Sequence, residues 1–327
     1  MTRTIADMLD TMPVLGRPGP WALLDWPSHG NVGDSAIWAG TLAVLKPRFG
    51  RPPSFVSRCG DYPSGLDRAM PEGPILLHGG GNFGDIWRGY HENRMRLLTE
   101  LRHRSIVQLP QSIHYHDPAA LAEMARAIGC HPDFTLMVRD KQSLQIARDH
   151  FDCKIVLCPD LAFGLGRVES RVCPKVDVFS LLRDDVERAN HGVDYATARE
   201  FGPVDDWARR PSARTQPDRR LLKVLHRMPH AWAIPRIEAA YARLASREVQ
   251  RGADMLAEGR VVLTDRLHAH VLCVLMQKPH VVLDNSYGKI GAFIDTWPSD
   301  GLTHKPGDNL ERLLAMMSAD LKDQEMR

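Results

Sequence analysis

The sequence predicts an α/β protein built from two doubly wound parallel sheets. Short apolar runs that indicate buried strands alternate with stretches whose apolar residues repeat at helical spacing. Strand followed by helix, repeated along a chain, is typical of a parallel sheet with helices on both faces. The length of 327 residues exceeds one typical domain. Because the series breaks near residues 164–174, we expect an N-terminal domain at residues 1–167 and a C-terminal domain at residues 168–327.

The predicted elements follow in chain order. In the first domain we expect strands at residues 21–25, 75–78, 106–109, 135–138 and 154–157, and helices at 35–45, 92–103, 119–127 and 142–150. In the second we expect strands at residues 176–182, 260–264 and 280–283, and helices at 237–258 and 267–277.

Two glycine-bearing segments follow predicted strands of the first domain. They are HGNVGDSAIW at 29–38 and PILLHGGGNFGDIW at 74–87. Glycine removes the side chain where something must approach the backbone. The spacing matches neither the dinucleotide fingerprint nor the P-loop, so NAD and Walker-type ATP binding are excluded. Each segment alone is equally consistent with a tight turn. Together, since both pair Gly with Asn and Asp, they predict the floor of a binding cleft.

A third segment, VVLTDRLHAHVLCVLMQKPHVVLDNSYGK at 261–289, places Arg266 and His268 where a strand turns into a helix. Ligands of open α/β sheets bind at the carboxyl ends of strands, and a helix N-terminus offers N–H groups to an anion. Lys289 follows the next predicted strand. In a second interpretation Asp265 and Arg266 only pair with each other, and His268 is a satisfied, half-buried histidine. The glycine-bearing segments of the first domain favour the functional interpretation.

These segments resemble the polysaccharide pyruvyl transferase family. The resemblance is carried, in family order, by NVGDSAI, HGGGNFGDIW, IVQLPQSIHY, VRDKQS, CPDLAF, TDRLHAH and DNSYGK. It covers most of the chain but is poor at residues 184–234, where only DDW at 205–207 matches. The resemblance implies two Rossmann-like domains that face each other across a cleft, as in GT-B glycosyltransferases.

The resemblance also implies an activity. Phosphoenolpyruvate would donate its pyruvyl group to a sugar residue of an exopolysaccharide or cell-surface glycan, or of its lipid-linked precursor, to form a pyruvate ketal and release phosphate. A donor with a carboxylate and a phosphate needs at least two fixed cations, and the arginine fork suits both groups. Protonation of the donor at C3 needs an acid with a pKa near neutrality, and histidine is the natural choice.

Family matching then assigns residues to these tasks. Arg139, Arg266, Leu267 and Lys289 are the predicted phosphoenolpyruvate contacts, and His268 is the predicted acid or base. Lys289 is also consistent with a solvated lysine, and Asp265 with the carboxylate that orients Arg266. His270 is predicted to be a packing residue. The predicted acceptor or loop contacts are Asn31, Asp34, His78, Gly80, Gly81, Asn82, His114, Asn285 and Tyr287.

The composition limits the kinds of partner that the protein is expected to bind and its expected location in the cell. The formal charge of +2, from 42 basic and 40 acidic side chains, gives no bulk case for nucleic-acid binding. Six cysteines without a CxxC pair argue against a zinc site or a disulfide framework. We therefore expect neither metal nor cofactor, with phosphoenolpyruvate as co-substrate, and full activity in excess EDTA. The chain lacks a signal-peptide core and an apolar run of the roughly 20 residues that span a bilayer. We expect a cytoplasmic protein that is able to contact the inner membrane face.

Residues 187–235 are rich in Arg, His and Trp. A charge run of this kind usually indicates a solvated loop. The other interpretations are a basic lip that meets an anionic lipid headgroup or a lipid-diphosphate-linked sugar, and an active-site lid.

Two further functions stay open at this point. A GT-B glycosyltransferase that uses a nucleotide sugar would share the architecture and the cations. A non-catalytic homologue that binds glycan would share the fold, but the intact Arg266-Leu267-His268 series argues against it. Release of phosphate from phosphoenolpyruvate, against release of nucleoside diphosphate from a sugar nucleotide, separates the two enzymes.

Overall fold

A computed structural model describes residues 1–28, 30–61, 65–183, 195–207, 215–228, 230–284, 288–299, 301–304 and 310. The chain forms two compact units. Unit 1 comprises Met1–His29, Asp34–Leu165 and Arg214–Ser246, and unit 2 comprises Gly30–Gly33, Gly166–Ala213 and Arg247–Arg327. The main transition, at Leu165 and Gly166, lies two residues before the predicted boundary. Two segments are grouped differently from the prediction: Gly30–Gly33 belongs to unit 2, and Arg214–Ser246 belongs to unit 1.

The strands are β1 Ala22–Trp26, β2 Phe55–Arg58, β3 Ile75–Leu77, β4 Gly80–Gly84, β5 Ile106–His114, β6 Phe134–Val138, β7 Lys154–Leu157, β8 Val176–Leu181, β9 Val204–Asp205, β10 Gly259–Thr264, β11 His280–Val282 and β12 Thr303–His304. The α-helices are α1 Thr2–Asp10, α2 Val32–Phe49, α3 Leu66–Ala69, α4 Arg88–Glu100, α5 Pro118–Cys130, α6 Lys141–His150, α7 Tyr195–Phe201, α8 Gln216–Leu225, α9 His230–Leu256, α10 Leu267–Leu275 and α11 Lys289–Thr296. Short 3₁₀ helices lie at Pro13–Leu15 and Leu161–Leu165.

Within the described residues, unit 1 holds a parallel sheet in the order β2-β1-β3-β5-β6-β7, with β4 added to the second half of β5. Every residue of β1 is buried, which fits a strand covered on both faces. Apolar side chains of β3, β5 and β6, such as Ile75, Ile106 and Leu136, form the core with those of the surrounding helices. In this order, ligands are expected at the carboxyl ends of β1 and β3, where the strand order reverses.

Unit 2 holds a second parallel sheet, which runs β12-β11-β10-β8-β9 through the described residues. Its centre is β10, where Leu263 is aligned with Ser180 of β8 on one side and with Val281 of β11 on the other. Val178, Val261 and Leu263 belong to its core. The order reverses between β8 and β10, so their carboxyl ends form the corresponding crevice. The predicted fold class, two doubly wound parallel sheets, is confirmed for the described residues.

The segment that follows β3 differs from the prediction of a loop. Residues Gly80–Gly84 form β4, which pairs with the second half of β5 while β3 pairs with the first half. β5 therefore continues to His114 instead of ending near residue 109. The register shifts between Gln108 and Gln111, and Gly80 has a φ of 131°, a conformation that favours glycine. The glycines allow the chain to end β3 and then to form β4 beside the same neighbouring strand, β5.

The basic region at residues 187–235 is also more ordered than a solvated loop. Its described parts include α7, β9, α8 and the start of α9. In α8, Asp218, Leu222 and Leu225 are buried at helical spacing, which is why this charged stretch folds as a helix. α9 begins at His230 rather than near residue 237 and contains Pro235. In the described part of the chain no helix is both long enough and apolar enough to cross a bilayer.

Candidate active site

The carboxyl end of β10 carries the first group of predicted site residues. Thr264 donates a hydrogen bond from Oγ1 to the Leu181 carbonyl of β8 at 2.7 Å, and the same Oγ1 accepts one from Arg266 N at 3.1 Å. This hydroxyl joins the two strands at the point where the strand order reverses. Arg266 is the N-cap residue of α10 and Leu267, which is buried, is its first residue. The first N–H groups of α10 have no acceptor within the helix, so this edge favours an anion.

Arg266 is only 6% exposed and contacts two residues that directly follow β9. Its Nη2 lies 2.5 Å from Oδ2 of Asp206, and its guanidinium carbon lies 5.7 Å from the centre of the Trp207 ring. Asp265, which the sequence predicts as the partner of Arg266, accepts a hydrogen bond from Arg183 N at 2.8 Å. The carboxylate of Asp206, which contacts Arg266, comes from 60 residues earlier in the chain. The role of Asp265 as the carboxylate that orients Arg266 stays a prediction.

His268 is partly exposed and lies against the backbone of Gly33. A Cβ atom at position 33 would lie 2.6 Å from His268 Cγ, a distance that real Cβ contacts do not reach. The turn that contains Gly33 is fixed by Asn31, whose Oδ1 accepts a hydrogen bond from Gly33 N at 3.0 Å. Asn31 was predicted as an acceptor or loop contact, and its described contact is with its own turn. Two sequence motifs that are far apart in the chain, NVGD and TDRLH, therefore meet at the His268 ring.

Helix α9 secures this arrangement within unit 2. Arg251 donates from Nη2 to the Gly30 carbonyl and from Nη1 to the Trp207 carbonyl, each at 2.9 Å. A side chain at Gly252 would collide with Val32. One guanidinium thus binds both the turn that supports His268 and the residue that packs against Arg266.

His270 has the packing position predicted for it. It is fully buried and its Nδ1 lies 2.9 Å from His280 Nε2, while His280 Nδ1 lies 2.9 Å from the Lys278 carbonyl. Burial, followed by the nearby His280 and His268, lowers the pKa of His270 to about 3. His270 is therefore neutral at physiological pH, which leaves His268 as the histidine of α10 that is accessible to a ligand.

Unit 1 carries a second polar group, at the carboxyl end of β1. Asp25 is 3% exposed and has a φ of 67°, which is rare for a residue other than glycine. Its Oδ1 accepts a hydrogen bond from Asn93 Nδ2 at 2.8 Å. Burial raises the pKa of Asp25 to about 6, although the Arg94 charge and the Asn93 hydrogen bond oppose the shift. A strained, buried carboxyl group at a strand end is a candidate functional group.

Arg94 connects this carboxyl group to the glycine-bearing strand. It is 1% exposed, donates from Nε to Gln108 Oε1 at 2.8 Å and from Nη2 to Asn82 Oδ1 at 3.2 Å. Asn82 also accepts from Gln111 Nε2 at 2.9 Å and donates from its backbone N–H to Gln111 Oε1 at 3.1 Å. Asn82 is thus fixed by β5 and by α4.

The other predicted contacts of unit 1 surround the same strand. His78 is 2% exposed, and its carbonyl accepts from Gln111 Nε2 at 3.0 Å. A Cβ atom at Gly80 would lie 3.7 Å from Asp34 Oδ1, so Asp34 is close to the backbone of β4, of which Gly81 is the second residue. His114 lies at the other end of β5, with its Nε2 3.1 Å from His116 Nε2.

Arg139 is a buried member of an ion pair. It is 1% exposed, its Nη1 lies 2.6 Å from Asp160 Oδ2, and its Nε donates to Ser112 Oγ at 2.9 Å. Ser112 in turn donates to Asp140 Oδ2 at 2.7 Å. These contacts fix the guanidinium at the carboxyl end of β6. The role of Arg139 in donor binding stays a prediction.

Three predicted residues are not placed. Asn285 and Tyr287 lie outside the described residues, and only the backbone of Lys289, the first residue of α11, is described. Among the described residues no group of three or more His, Cys, Asp or Glu side chains is positioned to hold a metal ion. Independence of a metal stays a prediction. All six cysteines are free.

The sequence interpretation missed several residues of both groups. A signal existed for Asp25, because an aspartate inside the apolar run ALLDW is unusual for a buried strand. A weaker one existed for Asp206, which belongs to the DDW match in an otherwise dissimilar region. Nothing local distinguishes Asn93 or Arg94 from the other polar residues of an exposed helix.

A cavity of about 550 Å³ in unit 2 is separate from these groups. Its lining includes Arg260 near the start of β10 and Lys278 and Pro279 just before β11. It therefore lies at the amino edge of the sheet, opposite the edge that carries Arg266, and no predicted site residue is part of its described lining.

Comparisons with known proteins match most of the chain. A family model described as "Polysaccharide pyruvyl transferase" matches residues 31–287. "Pyruvyl transferase 1" of Schizosaccharomyces pombe is 30% identical over 296 residues, which are 84% of this chain and 69% of that protein. The protein EpsO of Bacillus subtilis is 29% identical over 299 residues, 91% of this chain and 90% of its own. A crystal structure of a functionally uncharacterised Klebsiella pneumoniae protein has a TM-score of 0.59 at 17% identity, covers 94% of this chain and 98% of its own, and supports the fold alone.

Proposed function

Because the chain belongs to the polysaccharide pyruvyl transferase family, we propose that it transfers the pyruvyl group of phosphoenolpyruvate to a sugar residue of an exopolysaccharide or cell-surface glycan, or of its lipid-linked precursor. Membership makes it a transferase enzyme. The single observation that carries the finer proposal is that Arg266 and His268 both lie at the N-terminus of α10, where β8 and β10 end.

The donor is an anion with two charged groups, and this edge suits it. A guanidinium has a fixed positive charge and a planar set of N–H donors that matches the oxygens of a carboxylate or a phosphate, which is the basis for assigning Arg266 to the donor. The N-terminus of α10 adds favourable dipoles. The indole N–H of Trp207 is buried beside Arg266 and has no acceptor among the described residues. It is therefore a further donor for an anion at this edge.

The reaction needs a proton at C3 of the donor. Two sugar hydroxyl oxygens add to C2, the bond from C2 to the phosphate oxygen breaks, and the two hydroxyl protons are balanced by the new C–H bond at C3 and by the departing phosphate. His268 is the group that we assign to this proton transfer, since it is partly exposed while His270 is buried and neutral.

The acceptor is assigned to groups that bind hydroxyls. Amides and carboxyl groups accept and donate the hydrogen bonds that sugars offer. Asn82 and Asp25 have these groups at the carboxyl edge of the unit 1 sheet. Product analysis identifies the acceptor sugar.

The test follows phosphoenolpyruvate, phosphate and product together. In deuterated water the wild type should place one deuterium in the ketal methyl group, which derives from C3. His268→Ala should lower kcat by roughly 10²- to 10⁴-fold and leave the donor KM within about tenfold, the pattern of a lost acid. His268→Gln should be nearly as poor, because an amide cannot deliver the proton. His150→Ala, a change of an exposed histidine at the end of α6, serves as the matched control and should retain activity.

Three outcomes would contradict the proposal. Near-normal turnover by His268→Ala would remove that histidine from the chemistry. An unlabelled methyl group would exclude protonation at C3. Release of nucleoside diphosphate from a sugar nucleotide, without consumption of phosphoenolpyruvate by the wild type, would establish the glycosyltransferase instead.

A further inference from the structure

Exposed apolar side chains are concentrated in one short stretch of unit 1. Of the described residues, the large apolar side chains that are exposed by more than a third are Trp87, Leu221, Val224, Met228 and Trp232. Four of these five lie within twelve consecutive residues, on α8, the turn that follows it and the first turn of α9. Their exposed fractions run from 39% for Met228 to 56% for Val224. We call α8, the turn to residue 228 and the first two turns of α9 the basic helix pair.

The same stretch is cationic. Between Asp218 and Glu238 the sequence contains no acidic residue, and it contains the cations Arg219, Arg220, Lys223, Arg227 and Arg236. On α8 and its following turn, Arg220, Lys223 and Arg227 are exposed, as are Leu221 and Val224 between them. Arg236 stacks on Trp232, with its guanidinium carbon 3.8 Å from the ring centre. The chain as a whole has a formal charge of only +2, so the basic helix pair carries a local excess of positive charge.

The exposed face is not needed to hold the helices in place. The opposite face of α8 buries Leu222 and Leu225, and Asp218 lies 3.2 Å from Arg243 of α9. Tyr241 of α9 completes the attachment, because its hydroxyl lies 3.1 Å from His226 Nε2 and its ring stacks on Trp26 at 4.2 Å.

Trp26 is the last residue of β1, and it follows Asp25 directly. The basic helix pair is therefore attached at the carboxyl edge of the unit 1 sheet, the edge that carries Asp25. Among the described residues, its apolar and cationic face is exposed to solvent.

We propose that the exposed face of the basic helix pair docks on the surface of an anionic lipid bilayer. Cations near such a surface are attracted to acidic headgroups, and Trp and medium-sized apolar side chains insert at the boundary between headgroups and acyl chains. A polyanion in solution would account for the cations but would leave four apolar side chains exposed to water. A bilayer surface satisfies both features, and no acidic side chain of the stretch opposes it.

The direct test is binding to vesicles in the absence of any substrate, so its result does not depend on the proposed reaction. The wild type should sediment with vesicles of equal parts phosphatidylglycerol and phosphatidylcholine at low salt, and should be released as salt is raised. The triple variant Arg220→Gln, Lys223→Gln, Arg227→Gln should bind on the order of 100-fold more weakly, since each cation near the surface contributes roughly fivefold.

A matched control removes the same charge elsewhere in unit 1. Arg102→Gln, Arg126→Gln, Arg148→Gln changes three exposed arginines away from the basic helix pair and should bind within about threefold of the wild type. The apolar contribution has its own pair of variants, because Trp232→Ser should weaken binding about tenfold while Trp87→Ser, which removes a tryptophan exposed to a similar extent, should not. Thermal unfolding confirms that each variant is folded.

Several results would overturn the proposal. Equal binding of the two triple variants would show that only net charge matters. Binding to pure phosphatidylcholine as strong as to the acidic mixture would remove the role of the cations. If the folded wild type does not bind acidic vesicles, the exposed face of the basic helix pair is not a membrane-docking surface. If the wild type self-associates and Trp232→Ser abolishes this self-association, the exposed face binds a second copy of the chain.

Discussion

Replacing Asp25 with Asn should make the protein more stable at neutral pH. Asp25 is buried at the end of β1, and its pKa is raised from an ordinary value of 3.8 to about 6. The folded chain therefore favours the protonated carboxyl group, and ionising it in place costs free energy. A difference of about two pKa units corresponds to roughly 3 kcal/mol in the free energy of unfolding.

The sign of the pH dependence follows from the direction of the shift. Because the folded pKa lies above the unfolded one, the contribution of Asp25 to stability is fully present below pH 3.8 and is lost as the pH rises through 6. Asn has the shape of the protonated form, keeps an oxygen that can accept from Asn93, and tolerates the positive φ of this position. The variant should match the wild type near pH 4 and exceed it by roughly 2 to 3 kcal/mol at pH 8.

The measurement is urea unfolding of wild type and Asp25→Asn between pH 4.5 and 8, with the difference in unfolding free energy plotted against pH. The difference should grow through the window from about pH 4 to pH 7 and then level off. Parallel curves, or an Asn variant that is less stable throughout, would refute the raised pKa. If the carboxyl group serves the reaction, the more stable variant should lose turnover, which is the usual relation between a strained functional group and stability.

Two further predictions concern close contacts. Gly33→Ala should displace the His268 ring, and it should lower kcat by about tenfold or more and the free energy of unfolding by about 1 to 3 kcal/mol. Gly89→Ala changes a helical glycine with open space around it, so kcat and stability should stay unchanged. Steady-state kinetics measures kcat, and thermal unfolding measures stability. Unchanged kcat in Gly33→Ala would mean that the ring adjusts without loss. Arg139→Ala should cost about 3 to 5 kcal/mol because it strands the Asp160 carboxylate, and adding Asp160→Asn should restore much of that stability. If Arg139 also binds the donor, the donor KM of the double variant should stay high, and a normal KM would limit Arg139 to a structural role.

Most of the sheets could be predicted because their strands are buried on both faces. A parallel strand that is covered on both sides becomes an apolar run, and residues 75–78 and 260–264 match β3 and β10 to within one residue at each end. The glycine-bearing strand β4 has no such run, because its pairing depends on backbone space instead of apolar side chains. α8 was taken for a loop because its apolar face is narrow and its remaining positions are charged.

The candidate site was predictable in its types of residue but not in its contacts. The glycine at position 33 indicates a close approach to the backbone, but the approaching group, His268, comes from 235 positions later. Asp206, whose carboxylate contacts Arg266, is likewise remote from it in the sequence. Periodicity reports which side of an element is buried, whereas pairing between distant polar groups is decided by the fold.

The way the chain divides between its two units bears on the order in which it is made. Gly30–Gly33 belongs to unit 2, although nearly all of that unit follows residue 165, and unit 1 is completed only by Arg214–Ser246. At roughly 5 to 20 residues per second, the ribosome needs on the order of 10 to 50 s to progress from Gly33 to His268. During that time the backbone of Gly33 lacks the His268 ring that lies against it in the folded unit. Neither unit can finish folding as a separate piece of nascent chain, so a fragment that begins at residue 168 would lack the turn on which the His268 ring lies.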